Sequence, residues 1–390
     1  MLPLEAGITV TLTIRECMVG GVTLVSTRLP QASRLLAGRT PAEVMVLLPS
    51  LFSLCGTAQG LAGLEAMELA AGIVSAPAQR MARRFLLLAE TIAEHAMGII
   101  KDWPALLGEE ADLAQARPLR PLVTAAKRAL YPDGDWSALG GGRLAPDRGA
   151  LTEILRQVED MAARLFGGSP EEWLDDYTVF RSWIHRHDGV AARLLSSLEA
   201  RNLSGFGRSP LLLMPDSGPR DLAERLAADS DGSYCRAPHY CGHVFETNAL
   251  ARLVNHPVMA GLVLEYGNGL ASRFAARLIE IATALQEQED LVQDLCEDSG
   301  HGPARSGEGI GLGIVDAARG LLVHRVELEG GTLRDYRILA PTEWNFHPDG
   351  PLVRSLKGSP AGTDLEAKAR LLAAALDPCV PCRVEIAAHA

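Results

Sequence analysis

Two cysteines near the C-terminus stand at a spacing that suits metal binding. Cys379 and Cys382 lie in the segment DPCVPC, directly after a predicted helix. Cysteines three positions apart can turn both sulfurs toward one centre, and thiolates are soft ligands for zinc, nickel, copper(I) and iron. A redox pair or an incidental pair is the alternative, and the spacing alone does not decide between these readings.

The chain has seven cysteines, and the other five are Cys17, Cys55, Cys235, Cys241 and Cys296. A sparse, odd set in a chain of this length argues against a disulfide framework. One cluster follows the pattern C-x3-H-x-C-x-H and comprises Cys235, His239, Cys241 and His243. Zinc binding is one interpretation of this cluster, but scattered polar loop residues are the favoured one. Cys17 and Cys296 have no visible partner and are assigned no role.

Composition excludes several classes of function. The net charge is −11 and no Lys/Arg cluster is visible, so nucleic acid is not expected as a partner. The start MLPLEAGITVTLTI lacks a basic region and a cleavable apolar run, and the apolar stretch from Val44 is short and contains Pro49. We therefore expect a cytoplasmic protein with no membrane span.

The elements that must position these cysteines are mostly helices, because Ala and Leu are abundant and aromatic residues make up only 5%. Alternating residues from about Gly7 to Arg28 predict a hairpin that turns at CMVGG, and a second hairpin is predicted around Gly330–Gly331. Spacing of 3.6 residues predicts the main helices from Pro41 toward Cys55, from Gly56 to Val74, and over Ala76–Lys101, Leu151–Phe166, Trp183–Ala200, Leu270–Leu295 and LEAKARLLAAAL.

Several motifs together resemble the large subunits of nickel–iron hydrogenases. DPCxxC close to the C-terminus is similar to the signature of that family, which carries a CxxC pair near each end. GRTPAEVMVLLPSLFSLCGTAQGLA (Gly38–Ala62) resembles the family pattern GRDPRDAPFLTQRICGVCPxAHGLA without gaps. APHYCGHVFETNALAR (Ala237–Arg252) and VDAARGLLVHRVELEGGTLRDYRILAPTEWN also resemble family segments. These blocks extend over most of the chain.

The resemblance implies a mainly α fold with small β-hairpins, α+β in class, like that of the hydrogenase large subunit. We expect one unit over residues 1–390. Within it, residues 1–37 form the N-terminal β-hairpin and residues 38–315 the helical body. Residues 316–345 form the second hairpin and the APTEWN loop, and residues 346–390 form the C-terminal helix and the DPCxxC tail.

The resemblance also fixes a register for the metal ligands. In the family, the first cysteine of each pair is a terminal nickel ligand, and the second bridges nickel to an iron that carries carbon monoxide and cyanide. Cys55 falls on the bridging position of the N-terminal pair, whereas Phe52 falls on the terminal one. Gln59 stands where the family has histidine. A phenyl ring in place of a thiolate predicts that nickel is not held.

Further departures concern catalysis. Ala6 occupies the position of the family's proton-relaying glutamate, and Glu5 is one residue away from it. Ser33 and Glu385 stand at the two positions that bind magnesium in the family, so no magnesium is expected. Only a few residues follow Glu385, and we therefore expect no proteolytic maturation of this chain.

The retained residues form a coherent subset. Cys55 and Cys382 fall on the two iron-bridging positions, and Cys379 supplies an additional thiolate. Arg319 matches the family arginine that lies over the diatomic ligands, and Thr342 matches a position whose hydroxyl can bond a cyanide. The alternatives are a buried core thiol for Cys55, a structural ion pair for Arg319 and a turn-closing role for Thr342.

This combination resembles the hydrogenase maturation proteins of the HupK/HoxV type. The resemblance implies a non-catalytic scaffold that transiently holds the iron–dicyanide–carbonyl fragment, Fe(CN)2(CO). The implied partners are a small HypC-type chaperone, the machinery that assembles the iron fragment, and the hydrogenase large-subunit precursor. A divergent active hydrogenase and a metal-free interaction module for hydrogenase assembly are the alternatives.

Overall fold

The computed structural model describes residues 6–52, 54–210, 212–214, 221–300 and 308–387. The strands are β1 (Ile8–Arg15), β2 (Met18–Ser26), β3 (Gly309–Ala317), β4 (Gly320–Glu329), β5 (Thr332–Leu339) and β6 (Cys382–Ala387). The helices are α1 (Pro41–Leu51), α2 (Gly56–Ala70), α3 (Pro77–Lys101), α4 (Trp103–Leu106), α5 (Leu119–Leu130), α6 (Arg148–Phe166), α7 (Tyr177–Arg186), α8 (Val190–Ala200), α9 (Leu222–Ala228), α10 (Ser233–Arg236), α11 (Ala249–Leu253), α12 (Pro257–Tyr266), α13 (Leu270–Asp294), α14 (Pro341–Asn345), α15 (Pro351–Leu356) and α16 (Leu365–Ala375). Two 3-10 helices cover Pro30–Leu36 and Pro170–Glu172.

The long helices α3 and α13 form the centre of the main core. Each has 25 residues, and their contact surfaces bury side chains such as Phe85, Ile92, Phe274 and Ile281. Helices α5, α6, α8 and α16 pack around this pair, which gives the mainly helical architecture that the composition predicts. None of the helices in the described part of the chain has both the length and the apolar character that a membrane span requires.

The predicted helix over Trp183–Ala200 is wrong in one respect, because two helices cover this region. α7 ends at Arg186 and α8 begins at Val190, with Gly189 as its N-cap residue. A Cβ atom at Gly189 would lie 2.8 Å from the carbonyl oxygen of Leu165, so this glycine allows the chain to pass close to the end of α6. Helix α5 was not predicted.

The N-terminal hairpin is confirmed, but its turn lies earlier than expected. β1 and β2 are antiparallel, and Glu16 and Cys17 make the turn with positive φ angles of 50° and 59°. The glycines of CMVGG belong to β2 instead. β6 joins the other edge of β1 in parallel, with Ile8 opposite Cys382. The two ends of the described chain therefore meet in one sheet.

The second sheet has the order β3-β4-β5 and lies against α2. The predicted hairpin around Gly330–Gly331 is confirmed as β4 and β5, whereas the glycine-rich segment before it was not recognised as β3. Cβ atoms at Gly311 and Gly313 would lie 1.8 and 1.9 Å from the carbonyl oxygens of Ala66 and Ala62. These glycines allow β3 to cross directly over the backbone of α2, and they fix the position of the sheet relative to Cys55.

Candidate metal centre

Cys55 lies at the start of α2, where it is the N-cap residue. Helix α1 begins with a capping box of Thr40 and Glu43 and ends at Leu51, so only a short connection separates the two helices. The free amide groups at the start of α2 are bound by Glu90 of α3, whose carboxylate accepts from Thr57 N at 2.6 Å and Ala58 N at 2.8 Å. Glu90 thus fixes the helix end that carries Cys55.

Cys379 and Cys382 lie in the segment that connects α16 to β6. Asp377 adopts a positive φ of 54° after α16, and the carbonyl oxygen of Pro381 accepts from Ile8 N at 2.9 Å. Both cysteines are half-buried. The pairing of β6 with β1 therefore determines where the two sulfurs lie.

The structure brings Cys55 and Cys379 into the same environment. Burial is the main reason that the pKa of the Cys55 thiol is raised to about 12. The charges of Glu90 and Cys379 also raise this pKa, whereas the hydrogen bond from Gln59 and the charge of Arg319 lower it. Burial likewise raises the pKa of Cys382, to about 11. In the part of the chain that the structure describes, no three Cys, His, Asp or Glu side chains are grouped closely enough to hold a metal ion. Iron binding by all three sulfurs stays a prediction.

A cavity of about 490 Å³ lies beside the two C-terminal sulfurs, and its wall includes Leu54, Glu94, Arg277, Arg319, Cys379 and Cys382. The cavity connects the C-terminal motif with the residue that precedes Cys55, and three arginines line it: Arg277, Arg319 and Arg370. This space is large enough for a small metal fragment with its diatomic ligands.

Arg319 lines the cavity and also forms ion pairs, whereas its contact with diatomic ligands stays a prediction. Its Nη1 atom lies 3.0 Å from Glu94, and its Nε atom lies 3.7 Å from Asp377. Burial lowers the pKa of Arg319, but the charges of Asp377 and Glu94 raise it by more, so the guanidinium remains charged. Its buried Nε atom has no hydrogen-bond partner, and the same holds for Nε and Nη2 of Arg277. These donors suit an anionic group in the cavity.

Thr342 is the third residue of the APTEWN segment and lies in the first turn of α14, where it contacts Cys379 directly. Its Oγ1 atom lies 3.2 Å from Cys379 Sγ, and its side chain is buried. Asn345 of the same helix donates to the carbonyl oxygen of Arg319 at 2.9 Å. Helix α14 therefore holds two of the predicted site residues in their relative positions.

The sequence did not indicate a buried ion pair between Arg28 and Glu343, which lies next to these residues. The two side chains are only 17% and 10% exposed. Burial raises the pKa of Glu343, and Arg28 opposes this shift. The charges of Glu343, Cys379 and Cys55 raise the pKa of Arg28 against the effect of burial, and Arg28 lines one cavity together with Thr342 and Glu343. The glutamate in the APTEWN segment was the sequence feature that could have indicated this ion pair, because a buried carboxylate requires a cationic partner.

A second unpredicted feature is a chain of buried hydrogen bonds that ends at Cys55. Gln59 Nε2 lies 3.7 Å from Cys55 Sγ, and Gln59 Oε1 lies 2.9 Å from His324 Nε2. His324 Nδ1 lies 2.7 Å from the Tyr336 hydroxyl. These hydrogen bonds connect α2 with β4 and β5, so the second sheet contacts Cys55 through Gln59.

The residues that differ from the hydrogenase family pattern make ordinary structural contacts. Phe52 is half-buried and packs against the cluster that includes Val44 and Leu48. Ser33 is buried and donates to the carbonyl oxygen of Tyr336 at 3.0 Å, whereas Glu385 is exposed on β6. Glu5 lies outside the described residues. The effects of these residues on nickel, magnesium and proton transfer stay predictions.

The side chains of Cys235, His239, Cys241 and His243, all within the described residues, are not grouped closely enough to hold a metal ion. Cys235 is buried and its backbone amide donates to Asp229, whereas Cys241 is exposed. His239 faces Arg225 at 3.2 Å. The favoured interpretation, that these are unrelated loop residues, agrees with this arrangement.

Comparisons with known proteins give a consistent result. A sequence profile described as nickel-dependent hydrogenase matches residues 211–385. The hydrogenase expression/formation protein HupK of Rhizobium leguminosarum bv. viciae is 31% identical over 382 residues, with 96% of this chain and 95% of that protein covered. The hydrogenase expression/formation protein HoxV of Cupriavidus necator is 31% identical over 398 residues, with coverages of 96% and 95%.

Among solved structures, the nickel–iron–selenium hydrogenase of D. vulgaris Hildenborough matches with a TM-score of 0.68 at 17% sequence identity. The match covers 94% of each chain. At this identity the comparison concerns the fold alone, and it confirms the hydrogenase large-subunit-like fold that the motifs predicted.

Proposed function

The chain belongs to the hydrogenase expression/formation proteins of the HupK/HoxV type and acts in hydrogenase maturation. From this premise we propose that it is a non-catalytic scaffold for the iron–dicyanide–carbonyl fragment. The fragment is cargo that the protein receives and passes on. Cys55 and Cys382 supply the sulfur ligands, with Cys379 assisting. Arg319 and Thr342 contact the diatomic ligands.

One observation carries this proposal: the wall of one cavity includes Leu54, the residue before Cys55, together with Cys379 and Cys382 from the C-terminal part. These residues are more than three hundred positions apart in the sequence. The pairing of β6 with β1 and the contact of Thr342 with Cys379 position the C-terminal cysteines. Two soft thiolates at one site are suited to low-spin iron with strong-field ligands.

The surroundings of the sulfurs suit an anionic cargo. Iron(II) with two cyanides and two thiolates carries a net negative charge, and it is stabilised by hydrogen-bond donors in a site with little water. Arg319 and Arg277 have buried nitrogen atoms without hydrogen-bond partners beside the cavity, although each arginine lies 3.7 Å from the Asp377 carboxylate. The Thr342 hydroxyl can donate to a ligand or to Cys379. Arg28 adds a further cation near both sulfurs.

Thiols that are protonated in the empty protein also suit a carrier. Burial raises the pKa of Cys55 and of Cys382, so both are neutral thiols at pH 7 before cargo arrives. Metal binding must displace these protons, which limits the affinity of the site. A moderate affinity is what a protein requires if it is to release its cargo to a partner.

The proposed partners are those that handle the cargo before and after this protein. They are a small HypC-type chaperone together with the iron-fragment assembly machinery, and the precursor of the hydrogenase large subunit. The hydrogenase-like fold supports the last of these, because a protein with the same fold can present the fragment in a similar coordination.

Infrared spectroscopy and metal analysis on one sample test the proposal. The protein, purified from a host with the complete maturation machinery, should show cyanide and carbon monoxide bands and contain iron without nickel. Cys55→Ser and Cys382→Ser should each remove the bands and block hydrogenase maturation. Cys296→Ser is the matched control, because Cys296 is an exposed cysteine far from the motif in sequence.

The two alternatives predict other outcomes for the same sample. Nickel in the protein together with hydrogen turnover would identify a divergent hydrogenase and contradict the scaffold. Absence of bands and of iron, with normal maturation by Cys55→Ser, would instead support a metal-free interaction module.

A further inference from the structure

Three buried side chains form a continuous line of hydrogen bonds that leads to the Cys55 sulfur. Gln59, His324 and Tyr336 are exposed by only 3%, 0% and 0%. They contact one another at 2.9 and 2.7 Å, and Gln59 Nε2 lies 3.7 Å from Cys55 Sγ, within the range of an N–H···S bond. The role assigned to Cys55 does not by itself require such a chain.

The chemistry of these groups fixes the direction of the bonds. The Gln59 amide oxygen only accepts, so His324 must carry its proton on Nε2. Burial lowers the pKa of His324 to about 3, so the ring is neutral and Nδ1 is a bare acceptor. Burial also raises the pKa of Tyr336, so its hydroxyl keeps its proton and donates to Nδ1. Every donor in the chain then points toward Cys55.

The packing of α2 shows that this arrangement is built into the fold. Gly63 lies one helical turn after Gln59, and a Cβ atom there would be 2.6 Å from the Tyr336 hydroxyl and 3.4 Å from His324 Nδ1. Glycine inside a helix is less stable than alanine, so its presence needs a packing reason. The close approach of Tyr336 and His324, together with that of the Leu48 side chain at 2.4 Å, accounts for a glycine at this position.

We propose that Gln59 is a positioning residue, which orients the Cys55 sulfur through the chain from Tyr336 and His324 and tunes its bond to the iron cargo. This inference rests on the proposed function. An N–H donor withdraws charge from a bound thiolate, so the iron is less electron-rich and donates less into the carbon monoxide ligand. Loss of the donor should therefore shift the carbon monoxide band to lower wavenumber.

Two variants and one control test this role. Gln59→Met keeps the length of the side chain but removes its donor and acceptor. Gly63→Ala displaces Tyr336 and His324, as well as Leu48 of α1, without changing Gln59 itself. Gln288→Met is the control, because Gln288 is equally buried but donates to the carbonyl oxygen of Phe85 in the contact between α3 and α13.

Both test variants should shift the carbon monoxide band to lower wavenumber and weaken iron binding about 10- to 100-fold, because a group that orients a metal ligand typically changes metal affinity by this factor. Gln288→Met should leave the band in place. In the metal-free protein, nitrogen-15 NMR should find the His324 proton on Nε2. A band that stays in place in Gln59→Met, or a proton on Nδ1, would overturn the inference.

If the proposed function were wrong, the result would differ from a failure of the Gln59 inference, because the wild-type protein itself would show no carbon monoxide band. The NMR result on metal-free protein does not depend on cargo, so it still decides whether the chain is polarised toward Cys55.

Discussion

Thr342 Oγ1 lies 3.2 Å from Cys379 Sγ and joins the APTEWN segment to the C-terminal motif. The contact is buried, and it links two residues that were assigned separate roles on the basis of motifs. A hydroxyl next to a bound thiolate donates its hydrogen to the sulfur or to a neighbouring ligand. Thr342 therefore does more than close a turn before Trp344.

Thr342→Val should weaken cargo retention without unfolding the protein. Valine has nearly the same shape as threonine but cannot donate, so one hydrogen bond worth about 0.5–1.5 kcal/mol is lost. This corresponds to roughly a threefold to tenfold faster loss of iron, measured by the decay of the infrared bands. Thr342→Ser keeps the hydroxyl and should retain most of the wild-type lifetime. Equal lifetimes for the valine and serine variants would contradict the role of the hydroxyl.

The buried pair of Arg28 and Glu343 should contribute to stability and to cargo binding in separable ways. Arg28→Gln leaves the Glu343 carboxylate buried without its partner, and such a change costs about 3–5 kcal/mol of the free energy of unfolding. Urea unfolding followed by circular dichroism measures the loss.

The double variant Arg28→Gln with Glu343→Gln separates the two contributions. It removes both charges, so we expect it to recover most of the stability that Arg28→Gln loses. Cargo binding should remain weak in the double variant, because the cation near Cys55 and Cys379 is still missing. If the double variant recovered both the free energy of unfolding and cargo binding, Arg28 would act through stability alone.

The sequence predicted the long helices and the hairpins well where local patterns were strong, whereas the roles of the site residues stay predictions. The long apolar periodicity of α3 and α13 and the alternation in β1 and β4 are local signals, and these elements are confirmed. The motif register placed Thr342 and Arg319 near Cys379, and the structure places all three around one cavity or in direct contact.

The features that the sequence did not predict depend on contacts between distant segments. β3 was missed because its glycines serve the close approach to α2, and nothing in their local pattern indicates a strand. β6 is a short edge strand that is defined only by pairing with β1. The Arg28–Glu343 pair spans 315 positions, and no periodic pattern connects two such residues.

The attachment of β6 to β1 should control access to the C-terminal cysteines. Val384 is 8% exposed and lies opposite Val10 in this pairing, with its side chain in the main core. Val384→Asp would bury a carboxylate, so we expect the strand to detach and Cys382 to be alkylated faster by iodoacetamide. Arg383→Asp is the control, because Arg383 is exposed and should not change the rate. Similar rates in both variants would show that β6 does not protect the cysteine.

Acid should destabilise the core through Glu280, which lies between Arg252 and His95 at 2.6 Å from each. Burial would raise the pKa of this carboxyl, but the charge of Arg252 and the hydrogen bond from His95 lower it to about 2. Because the folded-state pKa is below the unfolded value of 4.5, the unfolded state binds more protons between these two values. The contribution of Glu280 to stability is thus complete above about pH 4.5 and is lost as the pH falls toward 2.

Glu280→Gln tests this directly. It leaves Arg252 without its buried partner, so the free energy of unfolding at pH 7 should fall by about 3–5 kcal/mol. The variant should also lose part of the pH dependence between pH 5 and 3 that the wild type shows in urea titrations. Glu287→Gln, on the same helix, removes a surface pair with Arg84 in which both side chains are more than 40% exposed, and it should cost at most about 1 kcal/mol. If both variants lost the same stability and kept the wild-type slope, the buried network would not be the source of the acid sensitivity.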